Sequence, residues 1–125
     1  MKITLGELKA AISGLNKIVV ATLSIKVSYR LSKMITIINN ELAHEEQLRQ
    51  KLVTQYGEKD DKGNIQVKKE NATKFYEDYR KLLEEEVKLN IQSIKLSEIQ
   101  DVKISAMDIL ALGKLLEDDV SEPKK

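Results

Sequence analysis

The sequence predicts an α+β fold that is mainly α: a long antiparallel helical hairpin with a small β-hairpin at its tip, plus N- and C-terminal helices and short strands. Three observations predict it. A stripe of apolar residues runs at helical spacing from Val27 to Tyr56 and halts at Gly57. A turn sequence, Asp60 to Asn64, then precedes the alternating Ile65, Gln66 and Val67. A second helical period resumes near Asn71. At 125 residues the chain has the size of one domain with one core. Residues 1–117 are expected to form it, and 118–125, a charged stretch with the only Pro and no apolar period, to fray.

Taken in order, Lys2 to Thr4 reads as a short extended start. Thr4 and Glu7 have the spacing of a capping box, in which each side chain satisfies an orphan amide of the first helical turn. A helix should therefore begin at Leu5, bury Leu5, Leu8, Ile12 and Leu15 on one face, and end near Lys17. The β-branched run Ile18 to Ile25 lacks a clean helical period and is expected to be a connector. The long helix follows, with Val27, Leu31, Met34, Ile35, Ile38 and Leu42, a polar break over His44 to Gln47, and then Leu48, Leu52, Val53 and Tyr56. At about 1.5 Å per residue it spans on the order of 45 Å, longer than a domain of this size is wide, so it must project or pair. Gly57 is expected to end it by adopting the left-handed conformation.

The Asp60 to Asn64 turn predicts a β-hairpin with Gly63 at positive φ. The next helix, capped near Glu70 or Asn71, should carry Phe75, Tyr79, Leu82, Leu83 and Val87 on one side. It is roughly half as long as its partner, so the first helix is the expected cover for the remainder. Alternation from Leu89 through Leu96 predicts a strand, and Val102 to Ile104 a second short one. Ser105 and Asp108 repeat the capping-box spacing ahead of Ile109, Leu112, Leu115 and Leu116, which predicts a last helix ending near Glu117.

Composition narrows the function classes. With no cysteine, a disulfide framework, a thiol nucleophile and a thiolate metal site are all excluded. No basic-then-apolar leader opens the sequence, and the run Ile18 to Ile25 is far short of the roughly 20 residues of a membrane helix. A soluble chain without a membrane partner is therefore expected. Net charge is only +1, yet residues 1–40 hold six Lys or Arg against one acid and the remainder fifteen against nineteen, so the segments are +5 and −4. This asymmetry favours mutual attraction within the fold or between copies over an external acidic ligand. With aromatics at 4% and no Trp, and with no glycine-rich phosphate loop or basic recognition helix, nucleic acid is disfavoured as a partner.

Each candidate site has a plainer reading beside it. Glu41 and His44 have the Glu-x-x-His spacing of di-iron bundles, and Glu84, Glu85 and Glu86 could supply further carboxylates, but with a single His only a symmetric dimer could complete the set. No metal or cofactor is assigned. Setting Gly63 at the sixth position of a calcium loop puts Lys62 and Lys69 where acids are required, so a plain turn is preferred. Asn71-Ala72-Thr73 fits the N-glycosylation pattern, with Asn71 expected instead to cap a helix. Titratable side chains show no catalytic clustering, so no enzyme is expected and no catalytic residue is named. The residues placed at a candidate protein-binding surface are Lys59, Asp60, Asp61, Lys62 and Asn64 at the hairpin tip, His44 on the exposed face of the long helix, and Tyr76 beside Phe75.

Four stretches carry a family likeness over nearly the full length: Ile3–Leu8 (ITLGEL), Lys26–Lys33 (KVSYRLSK), Tyr56–Asn64 (YGEKDDKGN) and Ile104–Leu112 (ISAMDILAL). Together they resemble a largely uncharacterised family of small proteins from tailed phages and prophages of Gram-positive bacteria. The likeness implies synthesis in the cytoplasm of a bacterial host, and a role in virion assembly, in the virion itself, or against a host protein. It brings no active-site residues. The expectation is a non-catalytic protein that binds a virion or host protein and self-associates, preferred as a virion assembly or virion-associated component. The alternatives are an inhibitor of a host protein or defence system, and a nucleic-acid-binding module using the basic first segment.

Overall fold

Thr4 turns an extended opening into a helix. Its Oγ1 accepts from the Glu7 amide at 3.1 Å, and the Glu7 carboxylate accepts from the Thr4 amide at 3.1 Å. The computed structural model, which describes residues 1–120, accordingly begins with β1 (Lys2–Thr4) and α1 (Leu5–Val19). The helix outruns the expected end near Lys17, because Ile18 continues the apolar face of Leu8, Ala11 and Leu15 and is fully buried. Burial here overrides β-branched propensity. The expected connector therefore shrinks to Val20–Ser24.

Ser24 caps α2 (Ile25–Tyr56), its Oγ accepting from the Val27 amide at 3.3 Å. This is the long helix predicted, unbroken over 32 residues. Gly57 ends it for a reason other than the one expected: its φ of −111° and ψ of 176° are extended, so no left-handed turn is made. A Cβ on Gly57 would stand 2.4 Å from the Val53 carbonyl oxygen and 2.7 Å from that of Gln66. The glycine admits a close backbone approach as the chain leaves the helix for the hairpin. β2 (Gly57–Lys59) and β3 (Ile65–Val67) pair antiparallel with Lys59 opposite Ile65, and Gly63 sits at φ +83° as anticipated.

After a 3-10 turn at Lys69–Asn71 comes α3 (Ala72–Leu83), antiparallel to α2. Asn71 does not cap it with its side chain; its Nδ2 donates to the Tyr56 carbonyl at 3.2 Å and so closes the end of α2 instead. The helix also stops short of Val87. From Glu86 the chain is taken by β1: β4 (Glu86–Lys88) pairs antiparallel with it, Ile3 opposite Val87, and the Leu5 amide donates to the Glu85 carbonyl at 3.0 Å. The strand expected over Leu89–Leu96 is consequently split, with β4 before it, β5 (Ile94–Lys95) at its end and irregular chain between.

No strand forms at Val102–Ile104. The Ser105–Asp108 capping box does open α4 (Ala106–Leu112), which ends well before Glu117. Gly113, at φ +51°, leads into a 3-10 turn and β6 (Leu116–Glu117), parallel to β5. α4 crosses α1 at Gly14, where a Cβ would lie 2.6 Å from the Asp108 carbonyl oxygen and 2.7 Å from Leu112 Cγ. The core gathers Ile3, Leu8, Ile18, Ile38, Leu112 and Leu115 from both ends of the chain. Residues 121–125 of the expected tail lie outside the described residues, while Asp119 accepts from the Ser97 amide at 2.9 Å and from its hydroxyl at 2.5 Å.

Candidate functional site

The hairpin tip is built by one of its own candidate residues. Asp60 Oδ1 accepts from the amides of Lys62 and Asn64, both at 2.9 Å, and the Asp60 amide donates to the Asn64 carbonyl at 2.8 Å. This is an Asx-type turn that fixes the loop, so Asp60 is taken up in structure. Lys59, Asp61, Lys62 and Asn64 are exposed and free to meet a partner.

His44 is exposed on α2, twelve residues before Tyr56, which places it roughly 18 Å along the helix from the tip. Tyr76 is 67% exposed on α3, its ring edge against buried Phe75 at a centroid distance of 5.4 Å. The seven candidates thus do not converge on one site: four make an exposed tip, Asp60 supports it, and His44 and Tyr76 stand elsewhere. Glu84 and Glu85 lie past the end of α3 and Glu86 in β4, away from any common helix face with Glu41 and His44. Among the described residues no group of three or more His, Asp or Glu is placed to hold a metal ion.

The polar break in the α2 stripe hides a feature that sequence reasoning missed. Glu45 is 2% exposed, the one buried charged residue among the described residues. It accepts from Tyr79 Oη at 2.7 Å and pairs with Lys9 Nζ at 3.3 Å, while Lys9 also bonds the Tyr79 hydroxyl. Three helices are thereby tied together through one carboxylate, and the Tyr79 ring stacks on Phe75 at 5.9 Å. Burial raises the Tyr79 hydroxyl above the ordinary tyrosine value; the bond to Tyr79, ahead of the Glu45 charge, raises the Lys9 ammonium. A signal was present: Glu45 falls seven residues after Ile38 and fourteen after Leu31, on the buried stripe itself.

The other displaced groups are likewise engaged in structural pairs. Arg49 grips Glu46 through two bonds of 2.8 and 2.6 Å, which is the main reason that carboxyl falls to about 2. Arg30 holds Glu98 at 2.5 and 3.2 Å; burial pushes the Glu98 carboxyl up, but Arg30 and the Lys95 amide outweigh it and the net direction is down. Lys9 and Arg30 thus connect the basic first segment to acids of the second, as internal attraction requires.

Beside Arg30 lies a groove of about 570 Å³ between α2 and the chain from Asn90 to Glu98. Buried Leu31, Met34 and Ile94 form its floor, and half-buried Val27, Ile37 and Ile91 its walls. Sequence reasoning did not find it, because its two sides are more than fifty residues apart. No family model, curated protein or solved structure matches this chain. Among the described residues no helix is long and apolar enough to cross a membrane.

Proposed function

We propose that this chain is a non-catalytic protein-binding component that self-associates. The observation that supports it most is where apolar side chains reach the surface. Ile25 is 86% exposed and Val20 82% at the α1–α2 turn, with Tyr29 beside them on α2, and Leu110 and Met107 are each 73% exposed on α4. Single exposed apolar residues are common, but large ones grouped on a turn and on a helix face are the usual mark of a contact surface. The stripe of α2 does not add to this surface: Leu31, Met34 and Ile38 are buried, and Leu42, Leu48, Leu52 and Val53 half-buried, within the chain's own fold.

The resemblance to phage and prophage proteins supplies a setting. In it the chain is made in a bacterial cytoplasm and acts as a virion assembly or virion-associated component, with a virion protein or another copy as partner. Light scattering on the purified protein tests the self-association. At tens of micromolar the mass should exceed the 14.2 kDa of one chain, and Leu110→Lys or Ile25→Lys should return it towards one chain without lowering the melting temperature. A single-chain mass at every concentration, together with no partner captured from virion or host extracts, would overturn the reading.

A further inference from the structure

We propose that the groove beside α2 receives an extended, acidic peptide segment of a partner protein, which adds itself as a strand against Asn90–Gln92. This rests on the protein-binding reading above and deepens it by naming one site and the chemistry of its ligand. Three independent observations converge on that occupant.

The first is the main chain of one wall. The ladder between β1 and β4 ends at Lys88, the Leu89 amide still donates to the Met1 carbonyl at 2.8 Å, and β5 starts only at Ile94. Between them, among the described residues, the amides and carbonyls of Asn90, Ile91 and Gln92 make no hydrogen bond. Unpaired chain with open donors and acceptors, joining two strands beside an apolar groove, is a place where a peptide can add as a strand, with main-chain bonds giving affinity and alternate side chains giving specificity. The Arg30 guanidinium donates to the Ser93 carbonyl at 3.4 Å, which holds this wall against α2.

The second is the floor. Leu31, Met34 and Ile94 line the groove from below and Ile37 and Ile91 from the sides. A peptide strand on Asn90–Gln92 would send every second side chain into that floor. Its aliphatic positions therefore alternate with others that point to the rim.

The third is charge. From Ile25 to Asn40, α2 carries Lys26, Arg30 and Lys33 and no acid. The acid on the opposite wall, Glu98, is matched by Arg30 at 2.5 Å. Lys33, exposed on the groove and resting 4.9 Å from the Tyr29 ring centroid, leaves the rim net positive. Rim-pointing side chains that complement it are Asp and Glu.

The test is selection of a random decapeptide display library on the full chain, with each enriched peptide re-measured by fluorescence anisotropy against three variants. Lys33→Glu alters an exposed rim residue and leaves the fold intact; Ile37→Glu alters the wall, with its melting temperature recorded; Leu110→Lys alters the distant α4 surface. The expected result is enriched peptides in which aliphatic residues alternate with Asp or Glu. Their affinity should fall at least tenfold in Lys33→Glu and Ile37→Glu and stay unchanged in Leu110→Lys. Methylating the peptide's backbone nitrogens along the edge facing Asn90–Gln92 should abolish binding. Enriched peptides that are basic or carry a helical period, that bind both groove variants normally, or that tolerate backbone methylation would overturn the groove assignment, as would no enrichment at all. Peptides lost only in Leu110→Lys would remove the groove and leave the protein-binding reading standing.

Discussion

Replacing Lys9 by Met should unfold this protein more readily than replacing Glu45 by Met, although the two residues form one ion pair. The reasoning starts from their unequal exposure: the Lys9 side chain is 44% exposed and that of Glu45 is 2%. Methionine at position 9 keeps the aliphatic stem and removes the ammonium, which leaves a buried carboxylate with the Tyr79 hydroxyl as its remaining donor. Breaking a fully buried pair in this way costs about 3–5 kcal/mol; with one partner nearly half in water the screened figure is about 2–3 kcal/mol. Methionine at position 45 removes the buried charge, and Lys9 turns towards solvent while keeping its bond to Tyr79. That variant should lose about 1 kcal/mol or less. The double variant, with two apolar side chains of matching length, should recover most of the Lys9→Met loss. Urea denaturation followed by circular dichroism at neutral pH measures all three, and a thermal scan should place Lys9→Met roughly 10 °C below the parent. Equal losses in the two single variants, or a double variant no better than Lys9→Met, would refute the argument that a stranded carboxylate is the cause.

Two further outcomes follow from the packing and from the acid pairs. Gly14→Ala should cost about 2 kcal/mol or more, since its Cβ would enter the space of the Asp108 carbonyl and Leu112 and lift α4 from α1; an unchanged urea midpoint would show that α4 is not seated there. Stability should also fall as pH drops from 5 towards 2. Glu46, Glu7 and Glu98 all have folded values below the ordinary carboxylate value, Glu46 at about 2. Over that window the unfolded chain takes up more protons than the folded one, so the contribution is present above pH 5 and lost on acidification. A urea midpoint that rises or holds between pH 5 and pH 3 would contradict this sign.

What could be read from the sequence, and what could not, divides at the reach of the interaction. Thr4 with Glu7, Ser105 with Asp108, and Gly63 in its turn are decided within four residues, and all three stand as read. The long stripe of α2 also stands, since a period sustained over eight turns needs no distant partner to be seen. Val87 fails for the opposite reason: its local pattern extends a helix, yet Ile3 claims it into a ladder across more than eighty residues. Leu115 and Leu116 fail similarly, drawn from a helix into a 3-10 turn and a strand by Ile94. The candidate surface divides the same way. Exposure of Lys59, Asp61, Lys62 and Asn64 follows from the turn they occupy, whereas the groove needs α2 and the chain from Asn90 to Glu98 brought together across the fold, by core packing of Leu31, Met34 and Ile94 and by the Arg30 bond to the Ser93 carbonyl. Glu45 is the instructive middle case. A polar residue on a buried stripe reads as an interruption when helices are considered one at a time; once α1 and α3 are in place it becomes a point that joins them, because Lys9 and Tyr79 reach the same carboxylate from either side. The break in the stripe therefore carries information about packing between helices, and a sequence reader who asks which distant cation and hydroxyl could satisfy such a residue gains a long-range constraint from a local anomaly.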